Sequence, residues 1–164
     1  MNPELDLATQ LQIVLRLAVA LGLGALVGLE RELQRQEAGF RTHAVVSLGA
    51  AIFTVVSAYA FTGIGTDPTR IAAQIVSGIG FIGAGTIIQS RGGVRGLTTA
   101  ASLWAVAGVG MAAGAGLYGV AVSGTVLMLV VLFLFDRIER WARVRLGIPK
   151  RDVNEADKEN EERT

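Results

Sequence analysis

The longest apolar stretch of the chain runs from Gly96 to Phe135, forty residues without an acidic, basic or histidine side chain. As one helix it would be about 60 Å long at ~1.5 Å per residue, which is about twice the ~30 Å hydrocarbon core of a bilayer. The pattern therefore predicts two membrane crossings. The turn between them is expected in the Gly-rich segment from Ala112 to Tyr118.

Three more apolar segments precede this stretch, and two of them carry no charge. The five predicted spans cover residues 11–29, 44–62, 71–89, 97–112 and 118–135. Short loops join them, so the spans are expected to pack as one unit. The sequence therefore predicts an all-α fold, an integral membrane bundle of five transmembrane helices within residues 1–135.

Basic residues are distributed unevenly among the predicted loops. They are concentrated in the first and third loops and after the fifth span, whereas the second loop holds a single arginine and the fourth loop holds none. Short loops that are rich in lysine and arginine remain on the cytoplasmic side of a membrane. Five spans then place the N-terminus outside and the C-terminus in the cytoplasm, while four or six spans would leave basic loops on both sides.

Two short segments of opposite charge follow the last span. Residues 136–151 are basic and are predicted to continue the fifth helix as an amphipathic juxtamembrane segment along anionic headgroups. Residues 152–164 are acidic and poor in apolar side chains, so a disordered tail is expected there.

Composition removes several classes of function. The chain has no cysteine and a single histidine, which excludes thiol nucleophiles, disulfides and Cys- or His-rich metal sites. It is 51% apolar and 18% charged, with a net charge of +1. We expect a protein whose surroundings are the lipid bilayer, with no enzymatic activity, no cofactor and no nucleic-acid partner. Mg²⁺ is the one ion that stays open.

The third span contains Gly78-Ile-Gly-Phe-Ile-Gly-Ala-Gly85, which matches the pattern G-x-G-x-x-G. A dinucleotide site is excluded, because that pattern needs a preceding strand and an acidic residue about twenty positions later. The glycines either let helix backbones pack closely or loosen the helix so that free carbonyl groups line a path for ions. The residues assigned to packing or path lining are Gly24, Gly28, Gly78, Gly80, Gly83, Gly85 and Trp104.

Polar residues at the predicted cytoplasmic ends of the spans form the candidate site. They are Glu30, Arg31, Glu32, Arg41, Thr42, His43, Arg91, Arg95, Thr98 and Thr99. We expect them to converge, since the second and fourth helices begin there and their positive N-terminal ends favour anionic groups. Three interpretations stay open: a charge network that holds helix ends together, a site for an acidic partner, anionic headgroup or phosphate, and a cation site around Glu30.

Some members of this cluster have roles of their own. Thr42 and either Thr98 or Thr99 are predicted as helix N-caps, and His43 is expected at the membrane interface. Glu30 is the best candidate for a metal ligand, since divalent cations prefer oxygen ligands.

Arg16 is the one charge predicted well inside a span. Its side chain either reaches outward to the membrane surface or has a partner at membrane depth. That partner would be Asp67 or a water-filled cavity.

Four blocks occur in a fixed order across about residues 10–135. They are Gly28-Leu-Glu-Arg-Glu32, Gly39-Phe-Arg-Thr-His43, Gly78-Ile-Gly-Phe-Ile-Gly-Ala-Gly85 and Arg95-Gly-Leu-Thr-Thr-Ala-Ala101, which Trp104 follows. Together they resemble the MgtC/SapB family. The resemblance implies a five-helix, multi-pass domain in the bacterial cytoplasmic (inner) membrane and a role in growth at low magnesium, with some members linked to virulence. Longer members carry a soluble C-terminal domain, for which the 29 residues after Phe135 are too few.

The resemblance leaves two functional hypotheses. MgtC-type members are regarded as regulators of other membrane proteins, including the F-type ATP synthase, although such proteins are often labelled magnesium transporters. The predicted spans hold no Asp or Glu in their interiors, whereas a Mg²⁺ site needs oxygen ligands. We therefore expect a regulator in magnesium homeostasis whose partner is the ATP synthase or an ion transporter. The alternative is a small transporter or channel for Mg²⁺ or another ion, lined by the third helix. The glycine faces also predict a homo-oligomer.

Overall fold

The computed structural model of the chain describes residues 6–61, 67, 69–90 and 93–146. These residues form five helices and one two-stranded ribbon, in the order α1 (Leu7–Leu33), α2 (Phe40–Tyr59), α3 (Thr69–Ala84), β1 (Ile88–Ser90), β2 (Gly93–Arg95), α4 (Leu97–Gly114) and α5 (Tyr118–Leu146). Arg91, the end of the predicted basic segment 136–151 and the predicted acidic tail 152–164 lie outside the described residues.

Four of these helices are long and apolar enough to cross a membrane. They are α1, α2, α4 and the part of α5 from Tyr118 to Phe135. The prediction of an all-helical membrane bundle is confirmed to this extent. The helix α3 is also apolar, but its 16 residues give about 24 Å at ~1.5 Å per residue, less than the thickness of the hydrocarbon core. Beyond Phe135, α5 continues without a break to Leu146.

The helix α3 ends earlier than the predicted span 71–89. The N–H and the hydroxyl of Thr86 both donate to the Gly83 carbonyl, at 3.0 Å and 2.8 Å, and so close a turn. A short antiparallel ribbon follows, in which Gln89 pairs with Val94. The two isoleucines before Gln89 are β-branched and favour an extended chain. Hydropathy alone does not separate this segment from the helix before it.

Side-chain size is distributed in the reverse of a water-soluble protein. Most buried positions hold alanine, glycine, serine or threonine, and Ala20 and Ala51 are both 0% exposed. Large apolar side chains face outward instead, with Leu127 65% exposed and Phe53 57% exposed. Lipid tails cover such side chains in a bilayer, while small residues inside let the helices approach one another. The distribution is that of a membrane protein.

The helix α2 packs against α1 through direct contacts between backbones. A Cβ atom added at Gly24 would lie 2.7 Å from the carbonyl oxygen of His43. A Cβ atom added at Gly28 would lie 2.7 Å from the Cα atom of Phe40. Both distances are shorter than a carbon atom tolerates, so these two positions of α1 accept only glycine at the observed separation.

The helix α4 also approaches the backbone of α2 closely, and it contacts α1 as well. A Cβ atom at Gly110 would overlap the backbone carbonyl group of Ser47, and one at Gly114 would lie 2.7 Å from the carbonyl oxygen of Ala51. The Ser47 hydroxyl donates a 2.7 Å hydrogen bond to the carbonyl oxygen of Ala20 on α1. Glycine-containing faces of α1 and α4 thus hold α2 in place, and α4, which contacts all four other helices, is the centre of the bundle.

The loop between α1 and α2 is closed by hydrogen bonds at both of its ends. Arg35 takes a left-handed conformation with φ 54°, and its N–H donates to the Glu32 carbonyl at 2.9 Å, while the Gln36 N–H donates to the Arg31 carbonyl at 3.0 Å. This is the Schellman arrangement that ends many helices. The Glu32 carboxylate then accepts a 2.8 Å hydrogen bond from the Phe40 N–H at the positive end of α2.

Arg16 lies at the opposite end of the bundle, beside the C-terminus of α4. Its Nη1 donates a 3.1 Å hydrogen bond to the carbonyl oxygen of Gly114, and its guanidinium carbon lies 5.8 Å from the centre of the Tyr59 ring. The last carbonyl groups of a helix carry partial negative charge, which the guanidinium offsets. The predicted partner Asp67 instead accepts hydrogen bonds from Thr69.

We expect Gly110→Leu to lower the free energy of unfolding by about 3 kcal/mol or more, because overpacking at this contact forces α2 and α4 apart. Thermal unfolding of the purified protein in detergent micelles measures the change. Gly108→Leu is the matched control on the same helix, where an added Cβ atom meets nothing within 4 Å. Both substitutions raise helix propensity equally. Equal stability of the two variants would contradict the packing described above.

We expect Glu32→Ala to lower the free energy of unfolding by about 1 kcal/mol, because the first turn of α2 loses the acceptor for the Phe40 N–H. Hydrogen exchange of the amides at the start of α2 should become faster in the same variant. Glu37→Ala, at an exposed acidic residue of the same loop, is the control. Unchanged exchange in Glu32→Ala would show that this carboxylate does not stabilise α2.

Candidate functional site at one end of the bundle

A cavity of about 380 Å³ opens where α1 ends and α4 begins, and it extends to the side of α5. Its wall consists of Glu30, Arg31, Gln34, Gln36, Thr98, Val131, Leu132 and Phe135. Three residues predicted from the sequence, Glu30, Arg31 and Thr98, thus meet in one cavity. We name it the Glu30 pocket.

Glu30 and Arg31 form an ion pair without a hydrogen bond. The Nη1 atom of Arg31 lies 3.6 Å from the Oε2 atom of Glu30, beyond the usual hydrogen-bond range of about 2.7–3.2 Å. The Glu30 side chain is 14% exposed and the Arg31 side chain 5%. Both carboxylate oxygens of Glu30 and the Nε atom of Arg31 are buried without a hydrogen-bond partner in the described part of the chain. The pair therefore retains unused acceptors and an unused donor.

The N-terminus of α4 adds positive partial charge to this pocket. Its N-cap residue is Gly96, in the left-handed region at φ 80°, and no side chain in the described part of the chain caps the first turn by a hydrogen bond. The prediction that threonines cap these helices is wrong, since α2 likewise has a glycine, Gly39, at its N-cap. Thr42, Thr98 and Thr99 lie two or three residues after these glycines, inside the first turns. Thr98 is exposed and lines the pocket.

His43 is fully buried, although it was expected at the membrane interface. Its Nδ1 atom lies 3.0 Å from the carbonyl oxygen of Gly39, and its Nε2 atom lies 2.9 Å from the hydroxyl of Ser102. A neutral ring can donate from Nδ1 to the carbonyl and accept the Ser102 proton at Nε2. That hydroxyl also lies 2.9 Å from the carbonyl oxygen of Thr99. His43 thus joins α2 to the first turns of α4.

The remaining arginines of the predicted cluster do not reach the two glutamates. Arg41 and Arg95 are exposed, and neither forms an ion pair with Glu30 or Glu32 among residues 6–61, 69–90 and 93–146. The described ion pair of Glu30 lies within α1 and does not connect two helices. Direct backbone packing, together with the hydrogen bonds of Glu32 and His43, joins the helix ends instead.

The glycines of α3 are placed differently from those of α1 and α4. A Cβ atom at Gly78 or Gly80 would meet nothing within 4 Å, and one at Gly83 would make ordinary contacts 3.6 Å from Ala100. Gly85 is exposed and follows the end of the helix. Trp104 on α4 is 56% exposed, so its ring faces away from the bundle. None of these positions is needed for close packing within the chain.

A second cavity, of about 470 Å³, lies between α2 and α3. Val45, Gly49, Phe53, Ile75 and Gly78 contribute to its wall, which is almost entirely apolar. Among the described residues of this wall, Gln74 alone has a polar side chain. A cavity of this composition suits lipid tails or another apolar helix better than it suits a hydrated ion.

Several residues of the Glu30 pocket were not predicted from the sequence. Gln34 and Gln36 follow Glu30 closely along the chain, and this proximity was the available signal. Val131, Leu132 and Phe135 belong to a long apolar run in which no position differs from its neighbours. Only the packing of α5 beside α4 brings them to the pocket.

Bacterial proteins resemble the chain along most of its length. It is 41% identical over 133 residues to a protein of Escherichia coli (strain K12) with the name "Putative magnesium transporter YhiD", a match that covers 77% of this chain and 62% of the relative. It is 48% identical over 116 residues to "Protein MgtC" of Salmonella typhimurium (strain 14028s), covering 71% of this chain and 49% of the relative. The chain thus spans between 49% and 62% of the length of these relatives. No solved structure matches it.

A sequence profile of the MgtC family matches residues 17–141, which include all or most of every helix described above. The outward-facing apolar side chains and the four long apolar helices agree with a protein that resides in a membrane. The chain is a membrane protein, and it belongs to the MgtC family.

Proposed function

We propose that the protein crosses the bacterial inner membrane five times, with its N-terminus outside and its C-terminus in the cytoplasm. Arg31, Arg41 and Arg95 lie at the same end of the bundle as the Glu30 pocket, whereas Asp67 lies between α2 and α3 at the other end. Basic loops remain on the cytoplasmic side. The short helix α3 crosses where the bilayer thins locally, with the β1–β2 ribbon at its cytoplasmic end.

The protein acts in magnesium homeostasis during growth at low magnesium, as a regulator of another membrane protein and not as an enzyme. The observation that carries this proposal is the guanidinium of Arg31, buried 3.6 Å from the carboxylate of Glu30. A Mg²⁺ site prefers several oxygen ligands in octahedral geometry, and an adjacent positive charge repels a divalent cation. The name of the E. coli relative links the family to magnesium.

The partner is a membrane protein such as the F-type ATP synthase or an ion transporter. Exposed arginines lie at the same end of the bundle as the Glu30 pocket, among them Arg35, Arg41 and Arg95, and offer contacts to an acidic surface. Oriented charges of this kind steer association and select partners more than they add affinity.

The exposed Gly78 and Gly80 of α3 support self-association, since small residues let helices of two copies approach closely in lipid.

The alternative function is a small transporter for Mg²⁺ or another ion. Gly78 and Gly80 favour it, because an added Cβ atom at either position would meet nothing within 4 Å, and Gly78 lines the cavity between α2 and α3. Carbonyl groups of α3 would then line a path that a second copy closes. The apolar wall of that cavity argues against a hydrated ion, so the regulator is the preferred function.

We expect liposomes that contain only the purified protein to show no Mg²⁺ influx above that of protein-free liposomes, measured with a Mg²⁺-sensitive dye inside the vesicles. A flux that Gly80→Leu abolishes would overturn the regulator and establish the transporter. Gly22→Leu on α1 is the matched control, since an added Cβ atom also meets nothing within 4 Å there. Gly80 is a better test position than Gly83, because a Cβ atom added at Gly83 would lie 3.6 Å from Ala100 and a larger side chain there would also disturb packing.

In a bacterium whose own gene is deleted, we expect Glu30→Gln to fail to restore growth in medium with limiting magnesium. The substitution keeps the size of the side chain and removes the charge on which the pocket depends. Asp67→Asn, at an exposed acidic residue at the other end of the bundle, should restore growth fully. Membrane levels of both variants are measured in parallel. Full growth with Glu30→Gln would show that the pocket has no part in the function.

A further inference from the structure

The Glu30 pocket places an acid and a base side by side, and neither satisfies the other. Both carboxylate oxygens of Glu30 and the Nε atom of Arg31 are buried without hydrogen-bond partners, and the closest approach between the two side chains is 3.6 Å. Leaving such groups unpaired is unfavourable. A ligand that carries one cationic donor and one anionic acceptor would satisfy both residues at once.

The anionic half of such a ligand has three groups to contact. The side chain of Arg31 is only 5% exposed, and its guanidinium forms part of the wall of the pocket. Thr98 adds a hydroxyl, and the first turn of α4 adds N–H groups that no side chain caps. Arginine, hydroxyl and helix N-terminus together are a frequent combination for binding a phosphate group.

The cationic half meets Glu30. A carboxylate accepts hydrogen bonds and donates none, so its two free oxygens call for N–H donors. The Gln36 amide nitrogen already donates to the Gln34 carbonyl, at 3.4 Å. An ammonium group supplies three N–H donors, whereas a trimethylated ammonium supplies none. A divalent cation would meet the adjacent guanidinium of Arg31 and one carboxylate only.

The third wall of the pocket is apolar and comes from the last apolar turns of α5. Leu132 is 8% exposed, while Val131 and Phe135 are 47% and 59% exposed. The sequence becomes charged directly after Phe135, so this wall lies where the hydrocarbon core ends and the headgroups begin. A ligand in the pocket thus has charged partners on one side and space for an acyl chain along the other.

We propose that the Glu30 pocket binds the zwitterionic headgroup of phosphatidylethanolamine. The phosphate contacts Arg31, Thr98 and the start of α4, the primary ammonium contacts Glu30, and an acyl chain follows Val131 and Phe135. The inference goes beyond the proposed function and is independent of it, because it requires only that the pocket lies at a membrane interface. A purely anionic lipid would leave Glu30 unpaired beside a phosphate.

The test uses the full chain in nanodiscs that contain phosphatidylethanolamine and phosphatidylcholine in equal amounts with identical acyl chains. Native mass spectrometry after transfer to detergent measures which lipid the protein retains. We expect a preference of about tenfold for phosphatidylethanolamine, as one charge-assisted contact predicts. Glu30→Gln should remove this preference, whereas Asp67→Asn, at an exposed carboxylate at the other end of the bundle, should keep it. Arg31→Gln should reduce retention of both lipids.

A second measurement needs no variant and therefore does not depend on the folding of one. The unaltered protein is offered the mono-, di- and trimethylated forms of the same lipid, in which N–H donors are lost one at a time. Retention should fall along this series and be lowest for the trimethylated form. Equal retention of all forms would overturn the proposal, as would a preference that persists in folded Glu30→Gln protein.

Two further additions separate this lipid from other ligands of similar charge. Millimolar Mg²⁺ should leave the retained lipid in place, and displacement by Mg²⁺ would overturn the proposal in favour of a cation site. Soluble phosphoethanolamine, added to protein in phosphatidylcholine nanodiscs, should bind far more weakly than the intact lipid does. Binding of equal strength would identify a free metabolite as the ligand and overturn the assignment to a lipid.

Discussion

The close approach of α2 to α1 and to α4 determines the rest of the structure. Gly24 and Gly28 of α1 and Gly110 of α4 leave no space for a side chain at these contacts. Lipid tails are as apolar as leucine, so burial from water cannot hold the helices together, and close backbone contact takes its place. Because small residues fill the interior, the large apolar side chains are left to face the lipid.

The membrane helices were predictable from the sequence because charge is excluded from the hydrocarbon core, and this exclusion is visible in the runs without charge. The end of α3 was not predictable in this way, since the uncharged run continues to Gln89 through both helix and ribbon. The partner of Arg16 was missed for a different reason. It is the backbone carbonyl of Gly114, and a carbonyl group leaves no mark in the sequence.

Prediction of the site succeeded for charged residues and failed for their surroundings. Glu30, Arg31 and Thr98 were candidates, since charge and hydroxyl groups near a membrane interface are conspicuous, and they share one pocket. The role of Leu132 was hidden, because one leucine among many carries no signal of its own. The threonine caps were predicted wrongly since glycine, not threonine, occupies both N-cap positions. Glu32 supplies an acceptor to α2 from the far side of the loop.

The missing hydrogen bonds of Glu30 and Arg31 bear on how the protein responds to its surroundings. A ligand that binds the folded form alone raises stability in proportion to the logarithm of its concentration over its dissociation constant. A phospholipid headgroup is always present at the membrane interface, whereas a partner protein is not. With a headgroup in the pocket, Glu30 is satisfied whether or not a partner is bound. A partner that uses Glu30 must then displace the lipid, so its affinity depends on the lipid composition of the membrane.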